Sequence, residues 1–248
     1  MRYEILGLLR VVDDKGVYTL GARKMETLLA VLLIRSSRVV SIEQLIAELW
    51  PEKPPRRATA ALHVYISQLR KFLGRATSGN SAIVTRSPGY FLDVGADETD
   101  LGDFLRLVDQ GRAHARAQRH EDAVCALQRA LGLWRGSLSP DLCDGPIMRG
   151  FAAWLEELRL ECVEVMAGSS LAIGRHQELT PLLYQMVDEH PLNETFYEQL
   201  MTALDRSGRR AEALRVYHSV RTTLREELGL EPSRALEDRL QDILVLRT

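Results

Sequence analysis

Between Pro54-Pro55 and Gly74 the sequence places Arg57, Ala60, Val64, Ser67, Gln68 and Lys71 at helical spacing. At about 100° per residue they lie opposite an apolar stripe of Leu62, Tyr65, Ile66, Leu69 and Leu73. Arg56, His63 and Arg70 flank the polar stripe. An amide, a branched methyl surface and several cations on one exposed helix face suit base edges and phosphates. Bond-breaking chemistry has no comparable support. The sequence holds no GxSxG, no HExxH and no dinucleotide-binding glycine pattern. Its six histidines are scattered, and Cys125, Cys143 and Cys162 are widely spaced with no CxxC pair. The reading is therefore not an enzyme, with no catalytic residue, no cofactor and no metal site.

The elements that must carry the stripe are legible around it. Residues 3–6, 8–12 and 17–20 read as strands, with Asp13-Asp14-Lys15-Gly16 as the turn joining the last two. Residues 23–35 read as a helix, with Met25, Leu28, Leu29, Leu32 and Leu33 on one face. Ser41-Ile42-Glu43-Gln44 is a capping box that opens a short helix ended by Trp50-Pro51. The helix bearing the stripe follows and is expected to stop at Gly74, before a loose polar segment over 75–81. Residues 83–85 and 90–94 then read as two strands joined by Arg86-Ser87-Pro88-Gly89. A small sheet, three helices and a terminal hairpin make a winged helix–turn–helix. A fragment ending near Gly95 is expected to fold.

From Asp97 onward the pattern is helical, and strands are expected to vanish. Gly174-Arg175-His176 and Gly208-Arg209-Arg210 lie 34 residues apart, each between amphipathic helices. That period is the tetratricopeptide length. Arg209, Arg210 and Tyr217 suit turn and packing positions of such a repeat. An earlier copy turns at 118–121, and residues 132–148 interrupt the array. The fold class is mostly α with a small β component: an N-terminal winged helix–turn–helix over 1–95, then an all-α tetratricopeptide-like repeat domain over 96–248. Charge divides the same way. Residues 1–95 hold 14 basic and 8 acidic side chains, net +6, and residues 96–248 hold 18 and 26, net −8. The longest apolar run, 28–34, is seven residues, far short of a membrane span of about 20. No membrane partner is expected, and the localisation read from this is cytoplasmic and nucleoid-associated.

An ordered series of motifs runs through Leu20-Gly21-Ala22-Arg23-Lys24, Val40-Ser41-Ile42, Leu45-Ile46-Ala47-Glu48-Leu49-Trp50-Pro51, Pro54-Pro55 and Ile66-Ser67-Gln68-Leu69-Arg70-Lys71-Phe72-Leu73. It continues with Gly89-Tyr90, Gly208-Arg209-Arg210-Ala211-Glu212-Ala213-Leu214, Tyr217 and Leu224-Arg225-Glu226-Glu227-Leu228-Gly229-Leu230-Glu231-Pro232-Ser233. This series resembles the Streptomyces antibiotic regulatory protein family of transcriptional activators. The resemblance implies an OmpR-type winged helix followed by a bacterial transcriptional activation domain. It implies binding to direct repeats in promoters of secondary-metabolite (antibiotic) gene clusters, and recruitment of RNA polymerase holoenzyme. Copies would associate side by side on tandem repeats of double-stranded DNA. No P-loop appears and no receiver domain precedes the winged helix, so neither ATPase nor phospho-aspartate control is expected.

Carried onto this sequence, the OmpR-type pattern makes Val64 and Gln68 the candidate base readers, with Arg57 reaching a guanine or a phosphate and Arg86 entering the minor groove. Gln68 can pair bidentately with adenine and Val64 can pack on a thymine methyl. Ser41, Trp50, His63, Ser67, Arg70 and Lys71 are the phosphate candidates. Trp50 also reads as core filler, Tyr90 as packing under the wing, and Ser41 as a helix cap. An alternative function is a ligand- or peptide-sensing regulator whose repeat domain gates DNA binding. About five phosphate contacts predict a log–log salt slope near −4 to −5 for DNA affinity. Lys71→Ala is expected to weaken all sites alike and to reduce that slope by about one unit, measured by titration across salt concentrations.

Overall fold

The structure, a computed structural model, describes residues 1–36, 38–76, 82–95, 98–139 and 142–245. It forms two compact units: Met1–Leu107 with Arg129–Arg159, and Val108–Gln128 with Leu160–Thr248. These units are cut differently from a division at residue 95, because later segments belong to the first.

In the first unit, β1 (Arg2–Glu4), β2 (Arg10–Asp13) and β3 (Gly16–Thr19) form an antiparallel meander with Tyr3 opposite Val11 and Val11 opposite Tyr18. The Asp13 carboxylate accepts from the backbone N–H of Lys15 (2.7 Å) and Gly16 (3.0 Å), which closes the predicted turn. A strand absent from the sequence reading, β7 (Glu98–Thr99), pairs parallel with β1 at the edge, so strands do not end before the helical region. Two residues are too few to show alternation.

Helix α1 (Arg23–Ile34) buries every residue from Thr27 to Leu33, not only the expected face of Leu28, Leu29, Leu32 and Leu33, while Met25 is half-buried. The strand β4 (Val40–Ser41) leads into α2 (Ile42–Leu49). Both halves of the capping box are formed: Gln44 N–H donates to Ser41 Oγ (3.1 Å) and Ser41 N–H donates to Gln44 Oε1 (3.0 Å). Helix α3 (Ala58–Ala76) passes through Gly74 instead of stopping there. A helical glycine costs only about 1 kcal/mol, and the packed face ending at Leu73 carries the helix past it. Residues 77–81 of the expected polar segment lie outside the described residues. The wing is β5 (Ile83–Arg86) and β6 (Gly89–Leu92), with β4 on the far side of β6. Asp93 and Val94 fall beyond the strand. Asp93 N–H donates to Ala82 O, which ends the ladder.

Two buried carboxylates tie later residues to this winged helix. Glu48, on α2 and only 2% exposed, accepts from the backbone N–H of Ile147 and Met148, both at 2.8 Å. Those are the first turn of α6 (Pro146–Ala172), where free N–H groups and the helix dipole favour an anion. Asp100, the first residue of α4 (Asp100–Arg116), accepts from the N–H of Ile5 (2.8 Å) and Leu6 (2.9 Å) and pairs with Arg135 at 3.0 Å. Leu142 and Met148 complete the apolar core formed by Leu28, Leu45, Leu62, Ile66 and Leu69. A fragment ending at Gly95 would lack these backbone donors to Glu48 and the apolar cover of Leu142 and Met148.

In the second unit, α5 (His120–Leu131), α7 (His176–Glu189), α8 (Glu194–Arg206), α9 (Arg210–Leu228) and α10 (Arg234–Leu244) follow the repeat pattern. Gly174 and Gly208, one repeat apart, both take left-handed backbone in the turns before α7 and α9. Phe196, Leu200, Leu204, Ala213, Tyr217 and Val220 are buried between α8 and α9. Arg206 donates to Leu171 O (2.6 Å), and Gln199 Nε2 donates to Glu164 O (2.9 Å), joining α8 to the end of α6. The Cys162 thiol is pushed up to about 12 by burial, which leaves it an inert core residue.

Glu48→Ala is expected to lower unfolding stability by about 1–3 kcal/mol, since two buried N–H groups lose their acceptor. A Cβ at Gly145 would overlap the Glu48 carboxyl. Gly145→Ala is therefore expected to destabilise the wild type but much less the Glu48→Ala protein, and urea denaturation of the double-mutant cycle measures this coupling.

Candidate nucleic-acid interface

The apolar stripe of α3 enters the core: Leu62, Ile66, Leu69 and Leu73 are buried and Tyr65 is half-buried. That anchoring leaves Arg57, Ala60, His63, Val64, Ser67, Gln68 and Lys71 exposed along the other side. Val64 is 52% exposed on this face. The structure thus brings Arg57, Val64 and Gln68 onto one face, with His63, Ser67 and Lys71 beside them.

The wing is held against α3 by Arg70. Its Nε donates to Ile83 O (3.1 Å) and its terminal nitrogen donates to Thr85 Oγ1 (2.8 Å). The same guanidinium lies over the Tyr90 ring, 5.8 Å from its centroid. Two of Arg70's donors are therefore spent on β5, which the sequence reading, with phosphate in view, did not foresee. Thr85 is the partner that reading missed; its only signal was a hydroxyl on an exposed strand face. Tyr90 is buried and packs edge-on to His63 at 6.4 Å, in line with the packing alternative. Arg86 is exposed at the end of β5, opposite Gly89. Gly89 has to be glycine, because a Cβ there would overlap Val40 O and crowd Ser41 Cα. That close approach fixes the wing turn beside the N-terminus of α2. The Ser41 hydroxyl is occupied there by its cap bond.

Trp50 ends α2 half-buried, 6.2 Å from the Tyr65 ring, with the Lys24 ammonium 4.6 Å from its centroid. Lys24 also donates to Leu49 O (2.5 Å), and its pKa is lowered by burial and by neighbouring Arg23. Trp50 thus serves as packing on this side. The charge pattern is sharper. Arg2, Arg10, Arg23 and Arg135 of the first unit are paired with carboxylates. Exposed Arg56, Arg57, Lys71 and Arg86, all on α3, its lead-in or the wing, have no carboxylate partner among the described residues. A face of unneutralised cations around a polar stripe is what a polyanion requires. Among the described residues no group of histidine, cysteine, aspartate and glutamate could hold a metal ion. No helix among them is long and apolar enough to cross a membrane.

Known proteins share this arrangement. Residues 18–92 match the family model "Transcriptional regulatory protein, C terminal", and residues 99–244 match "Bacterial transcriptional activator domain". Regulatory protein DnrI of Streptomyces peucetius is 35% identical over 96% of this chain and 89% of its own length. The chain belongs to the Streptomyces antibiotic regulatory protein family. Transcriptional regulator RedD of Streptomyces coelicolor is 36% identical over 97% of the chain and 69% of its own length. Transcriptional regulatory protein EmbR of Mycobacterium tuberculosis is 36% identical over 96% of the chain. Against EmbR the chain spans only 62% of the relative's length. The structure of EmbR in complex with a low affinity phosphopeptide superposes with a TM-score of 0.91 at 35% identity, covering 98% of this chain and 64% of that one. These family members are transcriptional regulators, not enzymes, and the winged helix and helical second half agree with the family fold.

Arg70→Ala is expected to speed amide exchange about tenfold over residues 83–86 while α3 amides keep their protection, read by hydrogen-exchange mass spectrometry. Arg70→Lys is expected to behave alike, because one ammonium cannot span both wing acceptors.

Proposed function

We infer that the chain is a sequence-specific DNA-binding transcriptional activator. The observation that carries this reading is the joint exposure, on α3 and the wing, of a polar stripe and four unpaired cations. In this reading α3 lies in the major groove with Val64 and Gln68 at base edges and Arg57 at a guanine or phosphate. Arg86 enters the adjacent minor groove. Lys71, His63, Ser67 and the α2 N-terminus at Ser41 take phosphates, Trp50 offers only its edge, and Arg70 acts chiefly by holding the wing.

Membership of the Streptomyces antibiotic regulatory protein family, with the regulators DnrI and RedD as relatives, supports a role in control of secondary-metabolite genes. Direct repeats in the promoter would call for two copies in head-to-tail order on the DNA, with the winged helix at +6 on phosphates and the acidic half, at −8, turned to protein partners such as RNA polymerase holoenzyme. The division at residue 95 into a DNA-binding and an activation domain belongs to this reading as a division of labour, with residues 96–107 and 129–159 shared structurally by the first part.

Selection from randomised duplex DNA tests the reading. The wild type is expected to enrich a tandem motif, and Gln68→Ala to lose preference at one base pair per half-site, equivalent to about 1–3 kcal/mol. No enrichment by the wild type would reject DNA recognition. An unchanged motif for Gln68→Ala would remove Gln68 from base reading.

A further inference from the structure

We propose that the first unit carries a binding site for an apolar small molecule bearing one acidic group. The site is a groove of about 670 Å³, within the usual size of a small-molecule pocket. Leu101, Ile147, Phe151 and Trp154 supply its apolar walls, and Arg35 and Gln44 stand on its polar side. Trp154 is 46% exposed, with its ring tilted against half-buried Phe151 and the two centroids 5.7 Å apart. An indole so exposed at the wall of a concave surface gains most from a planar or aliphatic body laid on it.

The charge of the occupant follows from the two polar groups. Arg35 is exposed and has no carboxylate partner among the described residues. The Gln44 oxygen accepts from Ser41 N–H in the capping box, which orients the amide and leaves its NH2 as a donor. A guanidinium and an amide NH2 are both donors only, so the matching group is an anion such as a carboxylate or sulfonate. A bare inorganic ion would leave the aromatic walls unused, and a neutral apolar molecule would leave the guanidinium unanswered. The groove lies off the exposed face of α3 and the wing and meets the proposed DNA surface only at the α2 cap, through Gln44; the inference stands whether or not that surface binds DNA.

The full chain can be tested with two fluorescent probes: 8-anilinonaphthalene-1-sulfonate and its uncharged parent N-phenyl-1-naphthylamine. The wild type is expected to bind each at one site. Arg35→Gln is expected to weaken the sulfonate roughly tenfold or more and to leave the parent unchanged. Gly150 lines the groove, and a Cβ there meets nothing within 4 Å. Gly150→Trp is therefore expected to place its indole in the groove and to abolish binding of both probes. Equal sulfonate affinity in Arg35→Gln, or undiminished binding of either probe by Gly150→Trp, would overturn the proposal. A second copy of the chain seated in the groove would also overturn it; probe affinity would then fall with rising protein concentration, and Gly150→Trp would change the sedimentation coefficient.

Discussion

A single buried carboxylate, Glu48, sets the terms for the rest of the first unit. Placing an anion in the core is costly unless it is fully hydrogen-bonded. Here both oxygens are met by backbone donors at the start of α6, where the helix dipole adds to the attraction. The arrangement works only with Gly145 beside it, since any side chain at that position would occupy the carboxylate's space. The consequence reaches α2 directly. The helix that precedes the stripe-bearing helix is pinned at its end by a residue nearly a hundred positions away, and Leu142 and Met148 enter the same core. Asp100 does the equivalent on the sheet side, holding the turn after β1 and drawing Arg135 onto it. The winged helix is therefore completed by chain that a motif-based boundary assigns elsewhere.

With that base fixed, the exposed face is organised by contacts that pull side chains inward. Arg70 leaves the polar stripe to brace β5 against α3, and Tyr90 fills the space beneath the guanidinium. Gly89 brings the wing turn onto β4, so the wing, the cap of α2 and the exposed side of α3 share one rigid frame. What remains outward is chiefly polar groups and cations, with Val64 on α3 and Val84 on the wing as exposed apolar groups among them. Preorganisation of this kind lowers the ordering entropy that a flexible basic loop would lose on binding.

The second unit obeys different physics. Helix pairs bury small and aromatic residues against their neighbours, and the left-handed turn position is Gln118 before α5 but glycine before α7 and α9. The end of α9 is closed by Gly229 in left-handed backbone, with Leu230 N–H donating to Leu224 O (3.2 Å). Just beyond it, Glu231 accepts from Arg221 (3.0 Å) and Arg225 (2.6 Å), and this pairing holds its carboxyl below the usual range. The acidic cluster near the C-terminal end is thus partly neutralised. Leu228 and Leu230 remain exposed among the acids there.

Local pattern was enough for much of this molecule. The α3 stripe, the Ser41 capping box and the hairpin turns are encoded by neighbours within one or two turns, and the 34-residue repeat by self-similarity along the chain, so periodicity and turn chemistry reveal them. The same holds for the exposed face of α3, because an amphipathic helix defines its outside by its inside. Tertiary structure alone decided the long-range partners. Nothing near Glu48 in the chain announces that Ile147 and Met148 will meet it, and a two-residue strand such as β7 has no pattern of its own. Arg70 shows the limit most clearly: its position on the helix was legible, but its partners lie on β5 across the segment 77–81. Only the fold determines whether an arginine on that edge faces outward or reaches across to a strand.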